Sequence, residues 1–79
     1  MRERFNKGDL VVFETDYYGA VPKGTIGTVV GMDEPNGGYI VDFHYDYGLT
    51  HNCDGALPGE TGLWLPYFLL KKVSDEYAI

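Results

Sequence analysis

Apolar residues along this chain come in short runs, each with glycine or proline close by on at least one side: residues 10–13, 26–30, 39–43 and 63–65. Runs this short, rich in β-branched and aromatic side chains and so punctuated, predict strands. In the first, Val11 and Phe13 share one face and Leu10 and Val12 the other, because side chains alternate along a strand; both faces are apolar, so alternation leaves the inner one open. Gly27 and Gly31 interrupt the second run, as a bulge, a sharp bend or a close backbone approach does. The third, continued to Tyr45, sets Val41 and Phe43 against Ile40, Asp42 and His44, and the uncharged pair is assigned to the core. Residues 33–38 read as a hairpin turn, since Asn36-Gly37-Gly38 accepts positive φ. After Leu63-Trp64-Leu65, Pro66-Tyr67-Phe68 makes a tight turn and residues 69–73 a short closing strand. The pattern predicts an all-β, five-stranded, partly open barrel whose core draws on Val11, Phe13, Ile26, Val29, Val41, Phe43, Trp64, Leu65 and Leu70.

The segments between the runs are polar and glycine-marked. Residues 1–7 form a charged lead-in from which Phe5 packs back on the body, and residues 15–23 a loop holding Tyr17 and Tyr18. Residues 46–62 are the longest irregular stretch, and a loop of that length in so small a domain is functional or disordered. Residues 74–79 read as a frayed or partner-bound tail. At 79 residues the chain makes one domain, since its apolar side chains cannot be divided between two stable cores.

Lys7-Gly8-Asp9-Leu10-Val11, residues 23–30 (Lys-Gly-Thr-Ile-Gly-Thr-Val-Val) and Tyr39-Ile40-Val41-Asp42-Phe43 together resemble the small SH3-like barrels, among them KOW modules, CAP-Gly domains and the Mind-bomb type of repeat. The resemblance spans most of the chain and implies an SH3-like fold. A narrower likeness lies in His51-Asn52-Cys53-Asp54-Gly55, Gly62-Leu63-Trp64-Leu65 and Leu69-Leu70. It is similar to the back half of small uncharacterised proteins of bacteria and their phages, where a His-Asn or His-Asp pair precedes a glycine-rich loop and a Trp strand. Ala56-Leu57-Pro58 and Leu65 depart from that form. The likeness implies a phage-type or mobile-element accessory protein.

Charge sharpens the functional expectation. Net charge is -6, and the 6 basic residues sit near the ends, with Arg2, Arg4 and Lys7 at one, Lys71 and Lys72 at the other and Lys23 between. From Gly24 to Leu70 there is no Lys or Arg, whereas Asp33, Glu34, Asp42, Asp46, Asp54 and Glu60 are all present. That stretch projects a negative field, which disfavours direct binding of DNA or RNA, whose phosphates need positive charge. Tyr17, Tyr18, Tyr45, Tyr47 and Trp64 belong to an aromatic set too large for one small core. Beside Asp42, Asp46 and Asp54 they suit a cationic ligand, because a ring face and a carboxylate attract the same charge. The expected function is a non-enzymatic module that binds a basic protein or peptide through these residues, as monomer or homodimer. The alternative is an acidic nucleic-acid mimic that inhibits a host nuclease, of anti-CRISPR or anti-restriction type.

Catalytic and metal chemistry has thinner support. His44, His51 and Cys53 are the available zinc ligands, but a structural zinc takes four ligands in recognisable pairs, and no C-x-x-C or paired-histidine motif occurs. The preferred reading has His51 tying the long loop down by a hydrogen bond and Cys53 packing as a small apolar residue. A small metal-binding or cysteine enzyme, with His51 as base to Cys53, remains the second alternative. No phosphate-binding glycine loop is present, and no cofactor is implied. No apolar run approaches the roughly 20 residues of a bilayer crossing, no export signal precedes the first strand, and Cys53 is alone; these features point to a cytoplasmic protein without a membrane partner.

Overall fold

The computed structural model describes residues 5–14, 21–33 and 38–73. Tyr17 and Tyr18, the centre of the hairpin turn and the tail from residue 74 lie outside the described residues. Five strands form one antiparallel sheet: β1 (Leu10–Phe13), β2 (Ile26–Asp33), β3 (Gly38–Asp42), β4 (Gly62–Pro66) and β5 (Leu70–Lys72), in the order β4-β3-β2-β1-β5. The sheet curls without closing, a partly open five-stranded barrel. A 3-10 turn, Tyr67–Leu69, carries the chain from β4 to β5, and no α-helix occurs among the described residues.

The two-residue alternation sets the inner surface of β1, β3, β4 and the first half of β2. Val11 and Phe13, Val29, Val41, and Leu63 and Leu65 all point inward and are buried, and Phe13 meets Phe43 edge-on at 6.0 Å between ring centres. The lead-in packs back as its sequence predicts: Phe5 is 1% exposed, its ring lies edge-on to Tyr39 at 5.1 Å, and its backbone N–H donates to the Tyr39 hydroxyl at 3.2 Å. The buried tyrosine thus packs an aromatic body and satisfies a backbone donor with its polar tip.

Two residues expected in the core are on the outside. Ile26 is 49% exposed because its strand neighbour Gly27 takes the inward position, and Trp64 is 41% exposed because Leu63 and Leu65 take the two inward positions of β4. The third strand also stops earlier than its apolar pattern suggests. It ends at Asp42, since His44 has φ 63, a left-handed conformation that cannot continue a strand. Conversely β2 runs on to Asp33 past a bulge: Val29 faces Val41, Gly31 faces Ile40, and Val30 is the extra residue.

Gly27 is where the barrel needs a missing side chain. A Cβ there would lie 2.7 Å from Val41 Cγ1, 2.9 Å from Phe43 Cδ1 and 3.0 Å from the Asp42 carbonyl oxygen, so the side chains of Val41 and Phe43 and the backbone of β3 occupy the space a methyl would take. At Gly31 the nearest atom is the mobile end of Ile40, at 3.4 Å. Gly27→Ala is therefore expected to cost about 1–3 kcal/mol in chemical denaturation, while Gly31→Ala stays within about 1 kcal/mol of the parent. Equal losses for the two would show that the inner packing at Gly27 does not limit stability.

Candidate functional site

The long segment between β3 and β4 is an ordered cover at one end of the sheet, and it holds most of the residues singled out by chemistry. Its root is Asp42, the last residue of β3, on the outer face opposite Gly62 of β4 and Thr28 of β2. Asp42 Oδ1 accepts from the Thr61 hydroxyl at 2.6 Å and from the His44 backbone N–H at 2.8 Å. Its Oδ2 lies 3.5 Å from His44 Nδ1, and His44 Nε2 lies 2.9 Å from the Thr28 hydroxyl. One carboxylate thus ties the two ends of the loop to the sheet and fixes the left-handed turn at His44.

A second tie sits further along. Thr50 is buried, donates from its hydroxyl to the Glu60 carbonyl oxygen at 2.7 Å and accepts the Tyr47 N–H at 3.1 Å. Asp46 Oδ1 accepts the Gly48 N–H at 2.9 Å, a side-chain turn that brings Tyr45 edge-on to Tyr47 at 4.8 Å. Tyr47 packs partly against the core, whereas Tyr45 and Leu49 stay largely exposed.

His51 then lengthens the sheet by one bridge, exchanging two backbone hydrogen bonds of 2.9 Å with Gly62 on the side of β4 away from β3. Its Nδ1 accepts the Cys53 N–H at 3.0 Å, so a neutral ring carries its proton on Nε2, and the ring rests 5.1 Å from the Trp64 indole. The loop-tying role expected of His51 is what the geometry shows. Cys53, Asp54 and Gly55 follow with φ of 53, 62 and 94, three consecutive left-handed residues. For non-glycine residues this costs roughly 1–2 kcal/mol each. The turn drops Cys53 and Leu57 over Gly62, where an added Cβ would sit 3.3 Å from Cys53 Sγ and collide with Leu57. Both side chains are buried, apart from the cluster inside the barrel, so the loop makes a small apolar contact of its own on the outer face.

Sequence placed Tyr17, Tyr18, Asp42, Tyr45, Asp46, Tyr47, Asp54 and Trp64 in one candidate surface, and Tyr17 and Tyr18 lie outside the described residues. The structure puts Tyr45 to Tyr47 and Asp54 on the loop, Asp42 at its root, and Trp64 on the adjoining strand; Asp46 and Asp54 are exposed, while Asp42 is mostly enclosed by its hydrogen bonds. Thr28, Thr61, Thr50 and Leu57 hold the arrangement together and carry no mark in the sequence beyond their polarity or size. Among the described residues no three His, Cys, Asp or Glu side chains gather in a way that could hold a metal ion. Asp42, His44 and Thr28 stand in the order carboxylate, imidazole, hydroxyl, but the 3.5 Å separation at Oδ2 is long for a hydrogen bond and the His44 side chain is 60% exposed. Thr28 lies on a strand flanked by β1 and β3, and the network holds the chain in place. No helix among the described residues is long and apolar enough to cross a membrane.

Neither a scan of protein-family models nor a search of curated proteins finds a match to this chain.

Burial pushes the Cys53 thiol up from 9.0 to about 11, with the nearby Asp42 carboxylate adding to the shift. The folded protein therefore holds the thiol proton more tightly than the unfolded chain, and stability is expected to fall as pH rises from 9.0 towards about 11. At pH near 8 a disulfide reagent should react with the native thiol at least ~10-fold more slowly than in denaturant, since the neutral, buried form is the poor nucleophile. Equal rates would place the thiol at the surface.

Proposed function

We propose that this protein is a non-enzymatic binding module that engages a basic protein or peptide through the loop between β3 and β4 and the adjoining outer face of β4. The observation that carries the reading is a coincidence of charge and exposed rings. Exposed Tyr45, Leu49 and Trp64 stand with the exposed carboxylates of Asp46, Asp54 and Glu60 in a stretch of sequence without Lys or Arg. Rings and leucine offer apolar contact area, and exposed carboxylates attract and orient a cationic partner. Asp42 contributes chiefly by holding the loop in shape. The loop is tied by its own hydrogen bonds, so little ordering cost opposes binding. An SH3-like barrel of phage or mobile-element origin is compatible with this reading.

The test is binding of a lysine- and arginine-rich peptide against an acidic peptide of equal length. The basic peptide is expected to bind, with affinity falling steeply as salt rises from about 0.05 to about 0.3 M and the screening length shortens. Tyr45→Ser with Leu49→Ser, both at exposed positions, should weaken binding roughly 5-fold or more. Binding that ignores salt, or a preference for the acidic peptide, contradicts the proposal.

A further inference from the structure

We infer that the outer face of β3 and β4 carries a site for a single arginine side chain, laid across Ile40 with its guanidinium between the Trp64 indole and Asp42 Oδ2. The inference rests on the basic-partner reading above and names the group recognised and the place.

Register defines the site. Ile40 faces Trp64 and Asp42 faces Gly62, so these positions are the corners of one square on the outer face, with Trp64 and Asp42 on its diagonal. Diagonal positions of an antiparallel pair lie about 7–8 Å apart, within the span of a long side chain. Gly62 adds no side chain of its own, but its corner is filled by Cys53 and Leu57 of the loop, which wall the square on that side; on the far flank of β3, Ile40 faces Gly31 of β2, which adds no side chain. The half-buried Ile40 is left as an apolar floor for a methylene stem. His51 supports the indole from the other side, at 5.1 Å.

Asp42 has capacity to spare. An ionised carboxylate accepts about four hydrogen bonds. Among the described residues, Oδ1 takes two, from Thr61 and the His44 N–H, whereas Oδ2 has His44 Nδ1 at 3.5 Å. The carboxylate is fixed in direction by neighbours that leave one oxygen underused, and 17% of the side chain is open to solvent. A planar, delocalised guanidinium can stack on the indole and donate sideways to that oxygen, whereas an ammonium is a compact, strongly hydrated point charge. Charge complementarity agrees, because residues 24–70 supply no cation of their own to fill the position.

Trp64 is the single tryptophan of the chain, so its emission reports on the site directly. The experiment titrates nona-arginine and nona-lysine peptides into the full chain at low salt, following Trp64 emission and, in parallel, calorimetric affinity. Nona-arginine is expected to shift the emission and to bind several-fold more tightly than nona-lysine. Trp64→Leu, at an exposed position that keeps its apolar character, should weaken nona-arginine about 3- to 10-fold while leaving nona-lysine nearly unchanged. Asp42→Asn should reduce the arginine preference, and its circular dichroism shows whether the loop is retained; Trp64→Leu decides the matter if it is not. Nona-arginine that binds Trp64→Leu as tightly as the parent, leaves the emission unmoved, or is matched by nona-lysine overturns the arginine site and leaves the basic-partner reading standing. Failure of both peptides to bind overturns the two together.

Discussion

A single carboxylate organises the outer half of this molecule. Asp42 ends β3, and the two donors on its Oδ1 come from the start of the long loop, at His44, and from its end, at Thr61. Tying both ends to one oxygen fixes where the loop leaves and rejoins the sheet. The hydrogen bonds of Thr50, the His51 bridge and the left-handed turn at Cys53 to Gly55 subdivide the chain between those ties. Hydrogen bonds to an ionised acceptor contribute about 1.5–3 kcal/mol each, enough to offset much of the backbone strain the loop carries.

The barrel and its cover are held by different forces. Inside, aromatic and β-branched side chains exclude water, with Gly27 making room for Val41 and Phe43. Outside, Cys53 and Leu57 provide a small apolar contact over Gly62, and polar ties provide the rest. Gly62 serves both halves, since it pairs with Asp42 in the sheet, with His51 beyond it, and lies beneath the two buried loop residues. Because the loop is seated on the sheet, Trp64 and Tyr45 face water from fixed positions, which is the condition a binding surface needs.

The strands were legible because alternation and glycine punctuation are local. Val41 and Phe43 against Asp42 settled the inner face of β3, and Phe5 stood out as the one aromatic side chain in a charged lead-in. Trp64 and Ile26 were misjudged for a shared reason: hydrophobicity alone assigned them to the core, although the alternation Leu63-Trp64-Leu65 admits only two inward positions and Gly27, without a side chain, is an inward residue. The early end of β3 was not legible either, because the left-handed turn at His44 is held by a hydrogen bond to the Asp42 side chain and by a ring contact to Thr28, distant in sequence. Of the candidate site, the aromatic and acidic residues could be picked out by type and the role of His51 by its place beside Cys53. The Asp42 network could not, since it is made of common polar residues brought together only by register.

Amide hydrogen exchange in Thr61→Val tests the organising role of Asp42 most directly, because it removes one donor from the carboxylate without touching the barrel interior. The expected result is faster exchange at the amides of His44, Cys53 and Leu57 with protection unchanged at Val29 in β2, as the loop loosens while the sheet stays intact. Unaltered protection across residues 44–57 would contradict the account, and would mean that the loop is held in place without the carboxylate.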